Sequence, residues 1–347
     1  MKKILLAVML GSMLMAAPSV RSAELEPIKI SYQPSLYWAL PFYIAKEKDW
    51  WREVGLDASF VTFPAGAPQI AAAQANDWDV GGTGSVPAVL GAARFGLLTI
   101  GLTNDESKAN AIMARSTVID GLKADPTSIK GKRLLLTTNS TADYAARACL
   151  RKWGVANADV EFVNLAQAQV ISAIISNNGH IAGVWAPHTY TLKERAGMDY
   201  LCSGADAGAT VPGALVVRPG FAEEKPELVA KFLAVFLRGI AWSKAHPEDA
   251  KAMLRSFYAE GGVEVSDEAA QAEFDLRQTF LLQEQSDLLE RNDGHSQLDS
   301  WFSSVGDFMT EVGTIASNPD TATYIEPKFV HMVRNDPALA AFAGKID

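Results

Sequence analysis

Val80-Gly81-Gly82-Thr83-Gly84-Ser85 runs straight into Val86-Pro87-Ala88-Val89-Leu90, and Leu134-Leu135-Leu136-Thr137-Thr138-Asn139-Ser140-Thr141 runs into Ala142-Asp143-Tyr144-Ala145-Ala146. In both stretches an apolar run with the character of a buried strand opens into glycine and hydroxyl residues and then takes up a helical pattern. Helix N-termini carry unpaired N–H groups and the positive end of the helix dipole, so Ser, Thr and Gly placed there can hold an oxyanion without Lys or Arg. A Ser or Thr before a helix can also serve only as its cap. What points to a ligand is the occurrence of the pair in two separate halves of the chain.

Working outward, strand-like runs at Ile28 to Tyr32, Ala58 to Phe63, Asp79 to Gly82 and Leu98 to Leu102 alternate with helical patterns at Pro41 to Val54, Pro68 to Ala75 and from Val86. Such alternation predicts a parallel α/β sheet. After the extended run Ala109 to Arg115, the charge-and-turn segment Asp120 to Lys132 interrupts the pattern, which then restarts. Strands are expected at Arg133 to Thr137, Val160 to Val163, Ile181 to Val184 and Ala214 to Arg218, with helices at Thr141 to Trp153, Ala168 to Ser176 and His188 to Ala196. From Ala222 onward the three-to-four spacing of apolar residues predicts helices at Pro226 to Ala245, Pro247 to Tyr258, Asp267 to Leu282 and Leu298 to Val312, then a loop-rich tail with a short final helix. The expected organisation is one lobe over 23–113 with 214–347, carrying the helical C-terminal part, and a second, inserted lobe over 114–213. Ligands of open α/β sheets sit beyond the carboxyl ends of the strands, so both lobes would present their strand-to-helix loops to one cleft.

Met1-Lys2-Lys3 followed by apolar residues to Pro18 reads as an export signal, with residues 1–22 removed, and the run is too short to span a membrane. A secreted, soluble protein of about 325 residues is expected, large enough for two lobes. Loss of Lys2, Lys3 and Arg21 with that leader leaves 28 basic against 40 acidic side chains, a net charge of −12. Such a surface is a poor partner for nucleic acid or anionic lipid. Cys149 and Cys202 are the two cysteines, and either a disulfide or a pair of buried thiols fits. No metal-ligand spacing joins His180, His188, His246, His295 and His331, so no metal and no cofactor is expected.

The chain resembles the periplasmic solute-binding proteins of ABC importers in the taurine, alkanesulfonate and nitrate group. The likeness runs through Ile30-Ser31-Tyr32-Gln33, Pro41-Phe42-Tyr43-Ile44-Ala45-Lys46, Asp77-Trp78-Asp79-Val80-Gly81 before Gly84-Ser85, Ile129-Lys130-Gly131-Lys132-Arg133, Val160-Glu161-Phe162-Val163-Asn164-Leu165 and Val184-Trp185-Ala186-Pro187. It covers essentially the whole mature chain. The resemblance implies a two-lobe periplasmic-binding-protein fold, each lobe a mainly parallel sheet flanked by helices, with the ligand in the interlobe cleft. It implies a periplasmic monomer, not an enzyme and not membrane-embedded, that closes on a small anion and delivers it to an ABC transporter permease. Carried over to matching positions, it implies ligand contacts from Gln33, Tyr37 and Trp38, from Gly66, Ala67, Gly84 and Ser85, from Thr138, Asn139, Ser140, Thr141 and Tyr144, and from Trp185 and His188.

The aromatic content of the first loop favours an organic sulfonate over bare nitrate, with an aromatic carboxylate or a thiamine-precursor pyrimidine as competitors. A carboxylate near the hydroxyl loops would add selectivity for an amine on the same molecule, and Asp105, with Glu106 beside it, follows the strand ending at Leu102. An enzyme like the cytosolic pyrimidine makers of the same broad fold is the rival of a different class. Those resemble this fold but carry clustered cysteines, whereas Cys149 and Cys202 are far apart, and no Gly-x-Ser-x-Gly elbow is present.

Overall fold

The computed structural model describes residues 24–347 apart from Ser35, so the expected leader lies outside the described residues. Among the described residues ten strands form two sheets: β1 Glu26–Tyr32, β2 Leu56–Thr62, β3 Val80–Gly84, β4 Leu98–Asp105, β5 Asn110–Arg115, β6 Arg133–Leu136, β7 Glu161–Asn164, β8 Ile181–Trp185, β9 Met198–Ser203 and β10 Pro212–Val217. Their spatial orders are β2-β1-β3-β10-β4 and β7-β6-β8-β5-β9.

Each sheet has four strands running one way and one running against them, β10 in the first and β5 in the second. Those two are the strands on which the chain arrives from the other lobe. A strand that enters from the cleft edge must run away from the cleft, opposite to strands that end there. β5, which the expected boundary at residue 113 cuts, pairs along its whole length within the second sheet.

The first lobe has one large core in which the helix Pro226–Ala245 lies buried beside the aromatic residues Phe42, Trp50 and Trp51. The second lobe has a smaller cluster on each face of its sheet, around Leu134, Leu136 and Leu150 on one and Leu135, Val170 and Val184 on the other. A disulfide joins Cys149, in the helix Thr141–Lys152, to Cys202 in β9, which decides between the two sequence readings. Among the described residues no helix is long and apolar enough to cross a membrane.

The main departures from the sequence reading are four. Asp120 to Lys132 does not simply interrupt the pattern, because the helix Ser116–Ala124 turns Ile119 and Leu122 into the core and a 3-10 turn follows at Pro126–Ile129. β9 carried no clear alternation and was not expected. The helix expected at Pro41 to Val54 is broken at Asp49, whose backbone is left-handed (φ 58°). The helix expected at Asp267 to Leu282 stops at Asp275, because the chain beyond it straightens so that the Gln278 carbonyl accepts from Asp105 N–H at 2.7 Å.

Candidate functional site

Both opening loops reach the same cleft, a space of about 730 Å³ that includes the solvent at its open mouth. Its walls include Gln33, Trp38, Gly66, Ala67 and Gly84 from the first lobe and Thr138, Asn139, Ser140, Thr141, Trp185 and His188 from the second. Eleven of the expected contact residues thus meet around one cavity.

On the first lobe the floor is organised by Gln69, which the sequence reading passed over as one residue of a helical pattern. Its buried amide donates to Ser31 Oγ at 2.7 Å and to the Gly82 carbonyl at 2.9 Å, and its side-chain oxygen accepts from Gln33. Gln33 is thereby fixed at the cleft with its direction set from behind. Gly66 starts the helix Gly66–Ala72, and a Cβ there would fall 2.3 Å from Pro87 Cγ, so the two cleft loops touch only because Gly66 has no side chain. Trp38 seats its ring on Gly82 by the same means.

On the second lobe four residues separate β6 from its helix. Asn139 takes a left-handed backbone (φ 58°) and its N–H donates to Asp143 Oδ2, while Asp143 Oδ1 accepts from Arg147 Nε at 2.7 Å. Ser140 is the N-cap: its hydroxyl accepts from Asp143 N–H at 3.2 Å and donates to the Thr137 carbonyl at 2.7 Å. Its carbonyl takes the Tyr144 N–H, which leaves the Thr141 and Ala142 N–H groups as the open donors of the helix start. The Ser140 side chain is therefore occupied as a cap, and what the loop offers a ligand is backbone N–H, Thr138 and Thr141.

Trp185 ends β8 half-buried at the cavity wall, and the Ala186–Pro187 peptide after it is cis. His188 stands beside it, ring centroids 6.2 Å apart, and loss of solvation holds its pKa down at about 4, so the ring is neutral at neutral pH.

Four expected residues do not line this cavity. Tyr37 packs edge-on against Phe274 at 5.1 Å and lies under the Arg277 guanidinium. Ser85 is fully buried one residue into its helix. Tyr144 packs on Phe308 at 5.2 Å. Asp105 accepts from the Ser107 N–H and hydroxyl, so it caps its own turn.

In place of Asp105, its neighbour Glu106 enters the cavity wall. Behind Glu106 lies Arg277, 1% exposed, whose Nε donates to Glu273 Oε2 at 2.6 Å, Nη1 to Glu106 Oε2 at 3.4 Å and Nη2 to the Ala186 carbonyl at 3.3 Å. Burial pushes the Glu106 carboxyl above its usual range, with the guanidinium pulling the other way. Gln167 also lines the cavity, buried, with neither amide atom hydrogen-bonded. Among the described residues no group of three His, Cys, Asp or Glu side chains is placed to hold a metal ion.

Residues 39–250 match the family described as NMT1/THI5 like. A Bacillus subtilis (strain 168) protein named for binding aliphatic sulfonates is 30% identical over 232 residues, 65% of this chain and 68% of that one. The taurine-binding periplasmic protein of Escherichia coli (strain K12) is 29% identical over 214 residues, 60% of this chain and 64% of that one. Among solved structures, the periplasmic aliphatic sulphonate binding protein SsuA from Escherichia coli superposes with a TM-score of 0.72 at 19% identity, covering 88% of this chain and 99% of that one, which shows the same fold.

Proposed function

From the premise that the chain belongs to the NMT1/THI5-like family, we propose that it is an extracytoplasmic receptor that captures a small organic sulfonate between its lobes and delivers it to a membrane permease. The units that move are the lobes built on the two sheets, turning about the crossings at residues 106–109 and 204–211. The observation that carries this reading is the meeting of the Thr137–Thr141 loop with the Gly66 and Gly84 loops around one cavity. A sulfonate asks for several neutral donors converging on its oxygen atoms, and the open helix start of the second lobe supplies them beside the Thr138 and Thr141 hydroxyls. Trp38 and Trp185 give the organic part apolar walls.

Binding would shift an open-to-closed equilibrium, and the permease would read the closed pair of lobe surfaces. The names of the sulfonate- and taurine-binding relatives support the ligand class. A thermal-shift panel of sulfonates, aromatic carboxylates, nitrate and aminopyrimidines tests it. A ligand at 100 times its Kd adds about 2.7 kcal/mol to stability, and small-angle scattering on the hit should show compaction. A shift with a carboxylate or pyrimidine and none with any sulfonate would overturn the ligand class; a bound hit without compaction would overturn the closure.

A further inference from the structure

We infer that Thr314 is a positioning residue for ligand capture: from the first lobe it holds Asn139 of the second, and with it the loop whose N–H groups face the cleft. This role rests on the reading of the cleft as an anion receptor and says what keeps that receptor's donors in place. Within its own lobe Asn139 is braced through its backbone, whose N–H donates to Asp143 Oδ2 at 3.0 Å. Its side chain is braced from the other lobe, because the Thr314 hydroxyl, 175 residues along the chain, donates to Asn139 Oδ1. A left-handed backbone (φ 58°) is one an L residue holds against its own preference, so a bond that immobilises the side chain also helps to keep the turn.

Thr314 is itself a fixed post. Its N–H donates to the Met309 carbonyl at 2.8 Å, closing the turn after the helix Gln297–Glu311, and its carbonyl accepts from Arg94 Nη2 at 3.1 Å. The same helix meets the second lobe at two further points. Tyr144, 4% exposed, packs on Phe308 and is buried within the first lobe's core although it belongs to the second. Arg151 Nη2 lies 3.1 Å from Glu311 Oε2. Tyr144 and Arg151 are two turns apart and share one face of the helix Thr141–Lys152. With an aromatic ring sunk in the first lobe's core, that face stays against Gln297–Glu311 while the lobes turn about their crossings. Thr314 therefore reaches Asn139 whether or not the cleft is filled. Asn139 lines the cavity and Thr314 does not, so the effect of Thr314 on a ligand passes through Asn139.

Hydrogen exchange of the empty protein, read by mass spectrometry on a peptide covering residues 137–142, tests the role without a ligand. Thr314→Val should speed exchange there about fivefold. The melting temperature should stay within about 1 °C of the natural chain's, and Thr314→Ser should restore the natural exchange rate. In an Asn139→Gly protein, whose glycine accepts the left-handed backbone, adding Thr314→Val should change nothing further. Titration with 1-propanesulfonate should show the Kd raised by the same factor in Thr314→Val and restored in Thr314→Ser. Unchanged exchange in Thr314→Val overturns the inference, as does a rise that spreads through both lobes with a fall in melting temperature, or one that Asn139→Gly leaves in full. An unchanged Kd in Thr314→Val overturns it too. Failure of 1-propanesulfonate to bind the natural chain counts against the sulfonate reading alone, and the exchange result then decides the role of Thr314 without it.

Discussion

In the first lobe the helix begins on the residue after the strand, at Ser85, whereas in the second lobe Thr137 to Ser140 stand between Leu136 and the helix start at Thr141. The two stretches look alike as sequence, yet the spacer decides what each shows the cleft. Without a spacer, Gly84 stays extended (φ −77°, ψ 164°), and the hydroxyls of Thr83 and Ser85 are fully buried without a hydrogen-bond partner. That loop presents glycine and backbone, a floor against which something can come close. With the spacer, the left-handed Asn139 turns the chain outward and brings N–H groups and hydroxyls to the cavity. One loop supplies room and the other supplies donors.

The lobes differ as well in what holds them together, and the largest expected effect probes that. The second lobe divides its apolar residues between the two faces of its sheet and adds the Cys149–Cys202 disulfide, which closes a 53-residue separation. Replacing both cysteines by serine should cost about 2–4 kcal/mol, felt in the second lobe first. Denaturant unfolding followed by fluorescence should then separate Trp153 and Trp185 from the tryptophans of the first lobe. Coincident transitions of unchanged midpoint would mean that the small lobe stands without its cross-link.

Next in size is the bulk test on the bare floor. Gly84→Leu involves no backbone strain at φ −77°, but its side chain would start 2.7 Å from Thr141 Cγ2 on the opposite lobe. Overpacking of this kind costs about 1–3 kcal/mol, and here it should appear as weaker ligand binding with little change in the melting temperature of the empty protein. Undiminished affinity would show that the ligand-bound lobes do not approach to this distance.

How much of this could be read in the sequence follows from which contacts are local. Strand-to-helix order, the two hydroxyl loops and helices such as His188–Ala196 and Pro226–Ala245 depend on neighbours a few residues away, and their patterns were visible. Gln69 and Arg277 were not, because their roles lie in partners far along the chain, Glu106 being 171 residues from Arg277. A continuous helical pattern from Asp267 hid Arg277, since the stop at Asp275 is set by pairing of Gln278 with Asp105. The exchange of Asp105 for Glu106 is a matter of one residue at a strand end. Adjacent residues there point opposite ways, and the strand reaches Asp105 rather than Leu102.

The smallest effects give the sharpest comparison, because they ask the same substitution of the two loops. Ser140→Ala removes the hydroxyl that caps Asp143 N–H and ties back to Thr137, and a lost N-cap costs about 1 kcal/mol. Ser85→Ala removes a fully buried hydroxyl that has no partner. No hydrogen bond is broken and a desolvated polar group disappears, so stability should stay within about 0.5 kcal/mol of the natural chain or rise slightly. Paired thermal melts of the empty proteins measure both. If Ser85→Ala proved as costly as Ser140→Ala, the first-lobe hydroxyl would have a partner in solution, and the division of the cleft into a bare floor and a donor wall would have to be redrawn around it.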